Sequence, residues 1–166
     1  MAKPISEKIS DEILARLALI TTANGYEFTV ASVSYVSRDL DDWPKGPLSI
    51  VVNKTETVDN DELSCPGNPP RLAFDATFTI HGYASVLDTD DSEVGIVDSG
   101  VSDFEMAAAI QKAITTDTAA WETMDGNAVF SKLTRSESFD APDRDGAMWD
   151  LVVTYRTPEN DPYTAG

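Results

Sequence analysis

Arg71 to Leu87 is the longest strand signal in the chain, and from Phe74 to His81 apolar and polar residues alternate strictly. Leu72, Phe74, Ala76, Phe78 and Ile80 would point one way, and Asp75, Thr77, Thr79, His81 and Tyr83 the other. A period of two is the mark of a strand with one face on a core, whereas helical winding would scatter the same apolar residues around the axis. The run extends well past the roughly 5–6 residues of an ordinary strand. It therefore commits the chain to a sheet whose second face meets solvent or a partner subunit.

The remaining segments are read around that strand. Ile5, Ile9, Ile13, Leu17 and Ile20 recur at helical spacing, predicting a helix over Lys3 to Ala23 with Ser6 or Ser10 as an early cap. Asn24-Gly25 suits a left-handed stop, and Phe28, Val30 and Val36 then predict a strand from Tyr26 to Val36. After a Pro- and Gly-containing loop to Pro47, Leu48, Ile50 and Val52 predict a second strand. Thr55 to Pro70 is a long polar connection, expected to be a projecting hairpin arm or a functional loop, and Asp88 to Gly100 reads as an acidic loop. Ser102-Asp103-Phe104-Glu105 is a capping box opening a second helix, whose apolar side collects Met106, Ala109, Ile110, Ala113 and Ile114. Two strands follow, Ala128 to Phe139 and Ala147 to Thr157, joined by a medium loop into a hairpin. Trp149, Leu151, Val153 and Tyr155 alternate on the second, and Trp121 is expected to close the second helix against the sheet. The expected fold is α+β in the order α-β-β-β-α-β-β, a largely antiparallel or mixed sheet packed by two helices. One domain over 1–157 and a polar tail over 158–166 account for the 166 residues.

Little catalytic chemistry is legible. Twelve basic against 29 acidic residues give a formal charge of −17, a surface that repels phosphates and anionic lipid. No apolar run is long enough to span a bilayer, and the polar start predicts a protein made in a cytosol. The one cysteine, Cys65, lies in a turn-rich segment and reads as an incidental loop thiol. The one histidine, His81, lacks the partners that a triad or a His-rich zinc site requires. No phosphate-cradling glycine loop and no cofactor motif is present. Asp88, Asp90 and Glu93 form a weak calcium candidate. Asp88, Asp90 and Ser92 match alternate ligand positions, but Val94 and Ser99 stand where such a loop needs glycine and glutamate. Asp41 and Asp42 beside Trp43 are a remote carboxylate-pair candidate for a hydrolase. Trp43 is hard to bury locally, which leaves core packing or a subunit contact open. Trp43 and Asp42, with Arg71 and Tyr83 from the long strand, are the candidate partner contacts.

Several segments in order carry a family likeness: Ile13-Leu14-Ala15-Arg16-Leu17, Ile20 to Tyr26, Pro47-Leu48-Ser49-Ile50-Val51-Val52, Phe74 to Tyr83, the alanine-rich helix at 103–114, Leu151 to Arg156, and Asp161-Pro162. Over nearly its whole length the chain resembles tail terminator (tail completion) proteins of long-tailed bacteriophages. The resemblance implies a non-enzymatic virion protein, assembled in the host cytoplasm as a hexameric ring. Such a ring caps the tail tube, stops its polymerisation and joins the head connector, with DNA passing through the lumen unbound. It brings no catalytic residues with it. The chain departs from the pattern in the length of its loops at 55–70 and 88–100. Alternatives are another neck or tail component, such as a connector or tube subunit, or a calcium-dependent binding module.

Overall fold

A computed structural model describes residues 2–36, 46–67, 69–88, 95–116, 123–141 and 144–165, with the backbone alone at 86–88, 95–97, 135–136, 140–141 and 144. The elements are α1 (Ile5–Leu17), a 3₁₀ turn (Thr22–Asn24), β1 (Ser32–Tyr35), β2 (Ser49–Asp59), β3 (Arg71–Asp88), β4 (Gly95–Asp98), α2 (Asp103–Thr115), β5 (Phe130–Ala141) and β6 (Arg144–Pro158). The protein is α+β, with a mixed six-stranded sheet and two helices.

The alternating strand is the centre of the sheet. β3 lies between β2 and β6 in the order β1-β2-β3-β6-β5, antiparallel to both neighbours. Its even-numbered residues Ala76, Phe78 and Ile80 are fully buried, together with Ile50 and Val52 of β2 and Leu151 and Val153 of β6. Both helices pack on this face. α1 contributes Ile5, Ile9, Ile13 and Leu17, and α2 contributes Met106, Ala109, Ile110, Ala113 and Ile114. The helix closest to the sheet meets it at glycine. A side chain at Gly82 would place its first carbon 2.6 Å from Met106 Cγ and 2.7 Å from Ile110 Cδ1.

The capping box at the start of α2 forms as read. The Glu105 amide donates to Ser102 Oγ at 3.2 Å, and the Ser102 amide donates to Glu105 Oε2 at 2.8 Å. The Ser102 amide and the Ser102 hydroxyl, which donates to the same Oε2 at 2.9 Å, hold the Glu105 carboxyl below its ordinary pKa. At the other end of α2, Arg16 of α1 donates to the carbonyls of Ile114 and Thr116 while pairing with Glu12 at 2.7 Å. A cation from one helix thus satisfies the orphan carbonyls of the other.

Several expectations are corrected. α1 starts at Ile5 behind Pro4, with no side-chain cap, so neither Ser6 nor Ser10 has that role. Ser10 instead donates back to the Ser6 carbonyl, as helical serines do. The helix ends at Leu17 rather than Ala23, and the left-handed stop at Gly25 (φ 78°) closes the 3₁₀ turn that follows. The strand expected from Tyr26 begins only at Ser32. Between these points the backbone bonds locally: the amides of Tyr26, Thr22 and Val30 donate to Thr21 O, Thr29 Oγ1 and Ile20 O. Phe28 is buried, so its spacing reported burial and not a ladder. As expected of a largely antiparallel or mixed sheet, β1 runs parallel to β2 while the other strand pairs are antiparallel.

The polar connection at 55–70 begins as strand. β2 continues to Asp59 past an irregularity at Thr55, and β6 flanks β3 as far as Pro158, so this hairpin is the end of a three-stranded sheet and not a free arm. Its tip is tied by Asn60 and Ser64, and by mutual amide-to-carbonyl bonds between Cys65 and Arg71. The acidic loop at 88–100 contains β4, which takes the position beside β3 that β2 vacates. β5 and β6 stay paired as far as Ala141 and Arg144, beyond the Phe139 and Ala147 expected. The tail docks: the Ile5 amide donates to Pro162 O at 2.9 Å, and Lys8 Nζ donates to Tyr163 O at 2.8 Å.

Candidate interaction surface

With both helices on one side, the other side of the sheet carries no helix among the described residues. Its residues are fixed by the pleat: odd-numbered on β3 up to Tyr83, even-numbered on β6, and on β5 even-numbered up to the irregularity after Leu133 and odd-numbered beyond it. Opposed pairs of β3 and β6 form a row of carboxylate–hydroxyl contacts across this face. Asp75 accepts from Thr154 and Asn60, and Asp150 accepts from Thr79 at 2.9 Å. Each carboxylate thus has a hydroxyl partner on the neighbouring strand, which keeps polar groups satisfied where no helix covers them.

The face has two ends of different character. Near the β4 end a small apolar cluster of Val36, Val51 and Tyr83 packs with Phe139. Tyr83 is 1% exposed, stacked beside His81 and met edge-on by Phe139 at 5.5 Å. Tyr83 points away from the main core as expected, but it is buried within its own chain. It is therefore removed as an exposed partner contact. At the hairpin end, Val58 and Phe130 are about half exposed and flank the Asp75–Thr154 pair. Lys132 pairs with Val152 and Arg156 with Ala73, placing both cations beside this apolar pair. Arg71, the first residue of β3, is exposed at the same end, where the sequence reading placed a contact.

The other sequence candidates are not assembled here. Trp43 and Asp42 lie outside the described residues, as do Asp90, Glu93 and Trp121. Asp88 ends β3 with its backbone paired to Gly95. Among the described residues no group of three His, Cys, Asp or Glu side chains is placed to hold a metal ion. Cys65 is half-buried in the hairpin tip, its thiol directed at the Leu63 carbonyl. Trp149, expected in the core, packs against it and donates Nε1–H to the Ala107 carbonyl of α2 at 3.0 Å.

Two features were missed in the sequence. Phe104, read only as a position inside the capping box, is 77% exposed. The cue was present: it falls off the stripe of Met106, Ala109, Ile110 and Ala113. The other is Lys54, which follows the β2 alternation onto the helix side of the sheet. It lines a groove of about 350 Å³ with Ser6, Ser10 and Tyr35 beside α1. Burial pushes its ammonium pKa below the ordinary lysine value. The folded chain then binds this proton less tightly than the unfolded chain, so the site's contribution to stability rises with pH through the window between the lowered value and 10.5. Lys54→Met should accordingly stabilise the fold at neutral pH and flatten that rise, as chemical denaturation at pH 7 and pH 10 would measure.

No protein-family model matches this chain, and no curated protein matches it.

Proposed function

We propose that this chain is a virion structural protein of a long-tailed bacteriophage, a tail terminator that works as a ring on the end of the tail tube. The observation that carries the reading is the sheet: among the described residues helices cover one face only, and the other presents exposed apolar and cationic residues at one end. A subunit built for a ring needs two different contact surfaces, since only head-to-tail contacts generate a closed cycle of more than two copies. The likeness of its ordered segments to tail terminators supplies the partners, a tail-tube protein below and a head connector above. A hexamer of subunits at −17 each would repel a passing duplex at most points of its surface, which suits a channel that DNA traverses without sticking. In this role the protein needs no catalytic residue and no cofactor.

The test is capping. Purified protein added to polymerising tail-tube subunits should fix tube length and appear as a ring-shaped density at one tube end in negative-stain images. Tubes that continue to grow, with no terminal density at saturating protein, would remove the terminator role.

A further inference from the structure

We propose that the first turn of α2 in one copy of this chain docks on the helix-free sheet face of the next copy. Phe104 is the apolar anchor, and Asp103 and Glu105 meet Lys132 and Arg156. The proposal deepens the ring reading and rests on it for closure of the ring alone.

The knob is Phe104. It is exposed to 77% on a helix whose apolar stripe is otherwise buried, so it adds nothing to this chain's own core. Exposed aromatics on a rigid element are the residues that dominate interfaces when a partner desolvates them. Its two neighbours in sequence are acidic, and the capping box fixes that turn.

The socket is the hairpin end of the uncovered face. Val58 and Phe130, 50% and 44% exposed, lie in one cross-strand row with Asp75 and Thr154 between them. The row is roughly 14 Å across, from three strand spacings. Lys132 and Arg156 border it. Among the described residues neither has a carboxylate at ion-pair distance, although acids outnumber bases 29 to 12. The Arg156 Nε–H is buried and has no hydrogen-bond partner, which leaves a desolvated donor waiting for an acceptor. Asp75 does not answer it, because its oxygens accept from Asn60 and Thr154. The nearest other acid on the face, Asp150, lies on the neighbouring strand two residues from Val152, the partner of Lys132, and its Oδ1 already accepts from Thr79. An apolar pair rimmed by unpaired cations fits an aromatic flanked by carboxylates.

The two surfaces lie on opposite sides of the sheet, since α2 packs on the core face and the socket is on the other. One copy cannot present both to the same partner around a two-fold axis. The contact is therefore heterologous, the kind that propagates head to tail and closes into a ring.

Sedimentation velocity on the purified chain tests this with two variants, Phe104→Ser and the double change Lys132→Glu with Arg156→Glu. Each should weaken self-association by roughly tenfold or more while leaving the thermal unfolding midpoint near that of wild type. Mixing the two variants should give a dimer and nothing larger, because one copy keeps an intact socket and the other an intact knob. A wild-type chain that stays monomeric to its solubility limit overturns the proposal, as do variants that associate like wild type or a mixture that yields no dimer. Binding of a DNA duplex that the double variant abolishes, with association unchanged, would reassign the cations to nucleic acid and overturn it too. A chain that assembles through this contact but fails to cap tail tubes keeps the contact and loses the terminator role.

Discussion

Gly146→Ala should be the most damaging small change in this protein, lowering its stability by about 3 kcal/mol or more in urea unfolding. A methyl group there would stand 1.9 Å from the Gly82 carbonyl oxygen and 3.1 Å from Phe139 Cζ. The oxygen belongs to the backbone of the central strand, so relief requires prising β6 from β3 where the ladder pairs Tyr83 with Gly146. Gly82→Ala is the instructive comparison. Its new carbon would also be crowded, at 2.6 Å from Met106 Cγ and 2.7 Å from Ile110 Cδ1, but those atoms lie on flexible side chains of α2. They can rotate at the cost of some packing, so the expected loss is smaller, about 1–3 kcal/mol. Equal losses at the two sites would show that the helix, and not the strand pair, is the rigid partner. Since a domain of this size has only ~5–15 kcal/mol in total, either change is a large fraction of it.

Phe78→Ala and Phe104→Ala should differ by almost the full range of mutational effects, although both delete the same ring. Phe78 is fully buried on β3 at the centre of the main core, between strands that pair on both sides. Removing it leaves a cavity and forfeits its transfer free energy, a loss of about 3–5 kcal/mol. Phe104 is exposed on the first turn of α2, and its removal should change the stability of the monomer by no more than about 0.5 kcal/mol. Urea denaturation at dilute concentration, where association does not contribute, separates the two. A large loss at Phe104 would mean that it packs within its own chain and would withdraw it as a contact residue.

The parts of the fold that were readable are those whose cause is local. The period of Leu72 to Ile80 reflects which side chains the core takes in, and it assigns the same face in the structure. The box Ser102–Glu105 is a two-residue hydrogen-bond exchange within one turn, so its sequence and its geometry are nearly the same statement. The buried side of α2 follows residue by residue for the same reason. The site was less readable. Arg71 lies exposed at the end of the face that the structure leaves uncovered, but Tyr83 does not. Its burial depends on Val36, Val51 and Phe139, drawn from three other parts of the chain. Nothing near Tyr83 in sequence announces those neighbours.

By itself the sequence determined the α+β class, the long two-faced strand, and the inward sides of both helices, because periodicity is imposed by burial one residue at a time. Tertiary structure alone decided that β1 runs parallel to β2, that β4 continues the place of β2 beside β3, and that the tail is fastened to α1. It also decided that Phe130, Val58, Lys132 and Arg156, far apart in the chain, share one end of one face. Each of these depends on which strand lies beside which, a choice made by backbone hydrogen bonds between distant segments that leave no periodic trace in either. The alternation from Phe74 to His81 promised a second face; only the pairing of its neighbours settled what that face carries.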